Sequence, residues 1–136
     1  MILLDTSGLL SAMFADQRDH HACANALLRT EEALLLSPFI LGEVDSIVAK
    51  HAGADTHRDF LEEVSRGAYR LTEFTADDVR RAKDFVARYR KLRIGLAEAS
   101  IAVLAEKHGA REVLTLDRRF DSMRTGGGKR FKILPE

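Results

Sequence analysis

The sequence predicts an α/β fold, a mostly parallel sheet of four to five strands covered by helices. Three observations predict it. Short, continuously apolar runs ("MILL", "ALLLSP", "EVLTL", "FKIL") read as strands buried on both faces. Longer stretches with helical spacing alternate with them, and such alternation calls for crossovers and parallel strands. At 136 residues, 46% hydrophobic and 31% charged, the chain is expected to form one domain, residues 1–136, around a sizeable core.

The elements follow in order. "MILL" is the first strand, stopped by the turn-forming cluster "DTSG". "SGLLSAMFA" and "HHACANALLRT" read as helices, and "ALLLSP" is a second strand stopped by Pro38. "FILGEVDSIVAKH" carries apolar residues at 40, 44, 47 and 48, a helical spacing. "THRDFLEEVSRG" is a helix ended by Gly67, and "YRLTEF" a third strand. "TADDVRRAKDFVARYRK" opens on Thr75 with Asp78 three residues on, close to a capping box. "LAEASIAVLAEKHG" is a helix ended by Gly109, "EVLTL" a fourth strand ended by Asp117, and "FKIL" a fifth. "TGGGK" precedes a strand rather than a helix, so it reads as a turn and not a phosphate cradle.

Composition narrows the function classes. The 21 basic and 21 acidic residues cancel, so net charge announces no nucleic-acid partner. The lone Cys23 excludes an internal disulfide framework and fits a reducing compartment. The most apolar stretch, "ALLLSPFIL", has nine residues, against about 20 for a membrane helix. No signal peptide is evident, and a cytoplasmic protein away from membranes is expected. The five histidines form no metal pattern.

The acids are more informative. In an open parallel sheet, ligands bind beyond the carboxyl ends of the strands, where strand order reverses. Asp5 ends the first strand and Asp117 the fourth. If those strands are neighbours at the reversal, both carboxylates face one crevice. Helix capping is the competing role for Asp5, and a cap or a salt bridge with Arg118 or Arg119 is that for Asp117. Glu43 and Asp45 lie on opposite borders of an apolar helical stripe, and periodicity does not choose between them. Glu98 sits in a helix that is apolar around most of its circumference, beside small alanines. A desolvated, unpaired carboxylate costs several kcal/mol, so Glu98 needs a cation. Four acids converging without matching lysines or arginines would repel one another, which calls for a positive ion. An all-carboxylate set suits Mg²⁺ or Mn²⁺ rather than zinc.

The stretches "ILLDTSGLL", "SPFILGEVDSIV", "RIGLAEASIAVLAEKHGAREVLTLDRRF" and "FKILP" span nearly the whole chain. In this order they resemble the PIN-domain family, and within it the VapC-type toxins of bacterial toxin–antitoxin pairs. The resemblance implies a three-layer α/β/α sandwich and a divalent-metal-dependent endoribonuclease that hydrolyses RNA phosphodiesters, transfer or ribosomal RNA first among them. It carries the four family acids onto Asp5, Glu43, Glu98 and Asp117 as catalytic residues and as ligands of one or two Mg²⁺ or Mn²⁺ ions. Thr6 and Thr115 match supporting hydroxyl positions, and Asp121 is a further acid without an assigned role. The implied partners are an RNA substrate, a cognate antitoxin and a second copy of the chain in a homodimer. The antitoxin is expected in a groove formed by "LLSAMF" and "FILGEV".

One departure stands out: the third family acid is usually Asp, and here it is Glu98. The extra methylene moves the carboxylate by about 1.5 Å, and misplacements of about 1 Å can cost about a hundredfold in rate. The alternative reading is therefore a catalytically impaired PIN-like module that binds RNA or protein. A receiver or aspartyl phosphatase is disfavoured, because Asp5 is followed by Thr6 and Ser7 rather than by another acid. Basic residues cluster as "RYRKLR" and as Arg118, Arg119, Arg124, Lys129 and Arg130, next to two of the acids, where they suit RNA phosphates.

Overall fold

Five short strands form one all-parallel sheet in the computed structural model, which describes residues 1–136. The order along the chain is β1 (Ile2–Leu4), α1 (Thr6–Met13), α2 (His20–Leu28), β2 (Leu34–Leu36), α3 (Pro38–His51), α4 (Ala54–Ser65), β3 (Arg70–Leu71), α5 (Ala76–Arg88), α6 (Leu96–His108), β4 (Glu112–Leu114) and β5 (Lys132–Leu134). Two 3-10 turns, Arg90–Leu92 and Arg118–Asp121, join α5 to α6 and follow β4. The sheet order is β3-β2-β1-β4-β5. Leu3 pairs with Leu35 on one side and with Val113 on the other.

The apolar runs explain the sheet. Leu3, Leu4, Leu36, Val113 and Leu114 are buried, which requires cover on both faces. From β1 the chain steps outward to β2 and β3, then returns to place β4 on the free side of β1. Right-handed crossovers set α1–α4 against one face and α5–α6 against the other, which is the expected three-layer sandwich. Twenty-seven buried hydrophobic residues form one continuous cluster.

Several local signals are realised. Ser37 caps α3, accepting the Phe39 N–H, with Pro38 at the first helical position. Thr75 and Asp78 form a reciprocal capping box on α5. Gly109 ends α6 in the left-handed conformation. "TGGGK" is a turn closed by an antiparallel bridge between Arg124 and Arg130. The third strand is shorter than "YRLTEF" suggests: only Arg70 and Leu71 pair, at an exposed sheet edge. There one neighbour, and not two, holds the strand, and Thr72 ends the pairing with both its N–H and its hydroxyl on the Leu36 carbonyl.

One glycine sets the geometry of the sheet's upper rim. A Cβ on Gly8 would lie 2.3 Å from the Leu114 carbonyl oxygen. Only glycine lets the first turn of α1 approach β4 this closely, and that approach brings Asp5 and Ser7 beside the chain leaving β4.

Candidate active site

Strand order reverses between β1 and β4, and both strands end in an acid. Asp5 follows β1 and Asp117 follows β4. Asp5 is only 5% exposed and makes no capping hydrogen bond with its side chain. Its carboxylate turns instead to hydroxyls: Thr115 donates to Oδ2 at 2.5 Å and Ser7 at 3.3 Å. The Thr115 hydroxyl also accepts the Asp117 backbone N–H at 2.9 Å, and Ser7 accepts that of Leu116 at 3.0 Å. Two hydroxyls therefore lock the end of β1 to the end of β4. Burial pushes the Asp5 carboxyl up to about 6, against the lowering effect of the Thr115 hydroxyl, and the negative charges of Asp117 and Glu98 push the same way as burial.

Glu43 reaches this rim from α3. Its Oε1 accepts a 2.6 Å hydrogen bond from the Thr6 hydroxyl, which ties it to the residue after Asp5. Asp45 is not part of the site: it pairs with His57 of α4. The ambiguity between the two acids of α3 is thus resolved by position. Asp121 pairs with Arg118 at the surface. A buried contact between the Ser37 and Ser100 hydroxyls, 2.7 Å apart, fixes the start of α3 against the start of α6.

Glu98 lies in the first turn of α6, whose residues 99–105 are all buried. One carboxylate oxygen accepts the Gly95 N–H at 2.9 Å, and the other meets the guanidinium of Arg119 at 2.8 Å. The same guanidinium forks onto Asp117 at 2.6–3.0 Å. Arg119 holds the Asp117 carboxyl below the usual carboxylate range, and Asp117 in turn raises the guanidinium. Of the two arginines weighed as partners of Asp117, Arg119 is the one that pairs with it, and the same side chain supplies from within the chain the cation that Glu98 needs. The signal was the spacing in "LDRRF". Asp117 caps the 3-10 turn by accepting the Arg119 N–H, and the turn brings the side chain two residues on back over its carboxylate.

The four acids are joined rather than scattered. Thr115 links Asp5 to Asp117, Arg119 links Asp117 to Glu98, and Thr6 ties Glu43 to the Asp5 turn. As the side chains stand, no three acids, histidines or cysteines close on one point that could hold a metal ion. The donor chemistry still fits a hard divalent cation: every donor is a carboxylate, and the gap between Glu98 and Asp117 already accommodates a cationic group.

Apolar residues line two open surfaces of the helical layers. Met13, Phe14, Leu27, Leu28, Phe60 and Tyr69 line a cavity of about 520 Å³ between α1, α2 and α4. Phe39, Gly42 and Glu43 line a separate open groove with Leu96 and Ala97. Met13 of "LLSAMF" and Phe39 of "FILGEV" thus line separate surfaces, while Leu10 and Phe14 also meet Ile47 and Ala52 beside α3 in a smaller pocket.

Comparison with known proteins agrees with this architecture. Residues 2–125 match the PIN domain family. The chain is 37% identical to Ribonuclease VapC26 of Mycobacterium tuberculosis over 135 residues, covering 98% of this chain and all of that protein. Among solved structures, the M. tuberculosis toxin VapC20, described as cleaving the sarcin–ricin loop, superposes with a TM-score of 0.78 at 18% identity, covering 86% of this chain and 90% of that one. VapBC2 from Rickettsia felis, solved bound to a promoter DNA fragment, gives 0.69 at 16% identity with 98% of both chains covered. A sheet that reverses between two acid-tipped strands, matched by the family along nearly its whole length, identifies the chain as a member of the PIN-domain family, in its VapC group.

Proposed function

We propose that this protein is a divalent-metal-dependent endoribonuclease and the toxin of a toxin–antitoxin pair. The observation that carries the reading is the hydrogen-bonded set of four carboxylates at the strand reversal, in a chain 37% identical to a ribonuclease. Asp5, Glu43, Glu98 and Asp117 would hold one or two Mg²⁺ or Mn²⁺ ions. The chemistry supplied by a bound ion is Lewis acidity, which lowers the pKa of a coordinated water and stabilises charge on an attacked phosphate. The chain's own groups prepare for it. Thr115 and Ser7 orient Asp5, and Thr6 orients Glu43.

The phosphate backbone has a natural approach. Exposed Arg88, Arg90, Lys91 and Arg93 border the first turn of α6, and Arg118, Lys129 and Arg130 lie beyond β4. The Arg124 N–H donates to the Tyr89 hydroxyl at 3.0 Å, which holds these two basic segments together. Phosphate contacts of this kind position an RNA without reading its sequence. Transfer and ribosomal RNA are the substrate classes we assign. Residues 1–136 act as one domain, and the continuous core supports this. A cognate antitoxin, a homodimer and a cytoplasmic location complete the proposal. Solved relatives in toxin–antitoxin complexes support the first of these, and no helix is long and apolar enough to cross a membrane.

The test is cleavage of total bacterial RNA, ribosomes included, by wild type and Asp5→Asn with Mn²⁺ or with chelator. Discrete fragments that need both Mn²⁺ and Asp5 are expected. Identical patterns from the two proteins would sink the assignment. Both oxygens of Glu98 are engaged within the chain, which favours, as second reading, a catalytically impaired module that binds RNA or protein; that reading predicts no detectable Mn²⁺ binding by calorimetry.

A further inference from the structure

Arg119 is bound more completely than a surface ion pair requires. Its Nε–H points at both oxygens of Asp117, at 3.0 and 2.9 Å. One terminal nitrogen donates to Glu98 at 2.8 Å and to Asp117 at 2.6 Å. The other donates to the carbonyls of Leu92 and Arg93, at 3.2 and 3.1 Å. All three nitrogens of the guanidinium fork are thus engaged. The two carbonyls come from a segment remote in sequence, where Arg93 takes a left-handed conformation at φ 55°, the one non-glycine residue to do so. Such a residue is uncommon and mildly strained. Two acids from different elements and a strained turn thus converge on one cation.

We propose that Arg119 is a built-in counter-cation that occupies the site of the resting protein and competes with the divalent ion for Glu98 and Asp117. The inference rests on the metal-centre reading above. Both cations need the same carboxylate oxygens, so each excludes the other and lowers its apparent affinity. In the resting state the guanidinium spans Glu98 and Asp117, and no three acids stand ready for an ion. When an ion enters, the fork leaves Asp117 and Glu98 and keeps at most its two carbonyl contacts. Arg119 is then a positive group at the edge of the acids, beside the basic residues of the rim.

Calorimetric titration of Mg²⁺ and Mn²⁺ into wild type, Arg119→Gln and Arg119→Lys tests this. Lysine retains the charge and lacks the fork that spans two carboxylates and two carbonyls. Competition predicts tighter binding for both variants, on the order of tenfold, together with a lower melting temperature for the metal-free variants. Simple charge repulsion predicts a wild-type affinity for Arg119→Lys, and that result would overturn the proposal. Wild type supplies an independent readout by ¹⁵N NMR of the arginine side chains. Saturating Mg²⁺ is expected to shift the Arg119 Nε–H signal and speed its exchange. A signal unmoved while calorimetry records Mg²⁺ binding refutes the competition and leaves the metal centre standing. Ion binding that is absent from wild type and both variants would overturn the metal centre and the competition together.

Discussion

Asp5 is the residue on which most of the chemistry converges, and it is held at an energetic disadvantage. Buried and close to other acids, its carboxyl is raised to about 6. Between about pH 4 and 6 the folded chain therefore keeps a proton that the unfolded chain has released, so raising pH through this window weakens folding. Above it both states are charged and the loss persists, amounting to up to about 3 kcal/mol. Asp5→Asn is expected to be more stable than wild type without metal at pH 7.5, and the two are expected to converge near pH 4. Chemical denaturation across pH checks this. Asp117 behaves oppositely: Arg119 holds it low, so its contribution is present at neutral pH and is lost only in strong acid. Thr115 offers a second residue-level test. Thr115→Val removes the donor to Asp5 and the acceptor for the Asp117 N–H, and a 10- to 100-fold loss of Mn²⁺ affinity is expected by calorimetry.

At the scale of elements, the junctions between β1, α1 and β4 decide whether the acids meet. Gly8 permits α1 to lie against the Leu114 carbonyl. Gly8→Ala is expected to destabilise the fold by about 1–3 kcal/mol and to weaken metal binding, measured by thermal unfolding with and without Mn²⁺. Strands and helices were legible because their signals are local. β1, β2 and β4 are apolar runs, α5 announces its start with Thr75 and Asp78, and α6 ends at Gly109. The extent of β3 was not legible, since strand length at an edge depends on a partner that sequence does not display. Asp5 and Asp117 were legible from their places after strands. Glu43 was separable from Asp45 only once α1 and α4 were in place, with Thr6 facing one acid and His57 the other. Arg119 was legible as a salt-bridge candidate for Asp117; its bridge to Glu98 was not, because that depends on the 3-10 turn and on carbonyls 26 and 27 residues away.

For the whole molecule, a doubly wound sheet puts the site where β1 and β4 part company, and a neutral net charge conceals an uneven surface. Acids gather at the reversal, and basic side chains gather on the Arg88–Arg93 segment leading into α6, with Arg118 next to Asp117. Binding of single-stranded RNA is therefore expected to weaken steeply with salt. Replacing Arg90 and Lys91 together by alanine is expected to reduce the log–log salt slope by about 1, as measured by fluorescence anisotropy.

The most direct measurement is titration of Mn²⁺ into wild type and into Asp5→Asn, Glu43→Gln, Glu98→Gln and Asp117→Asn, each verified as folded. Saturable binding by wild type is expected, weakened in all four variants and most of all in Asp5→Asn. Four variants that bind Mn²⁺ as wild type does would contradict the assignment of these carboxylates as a metal centre.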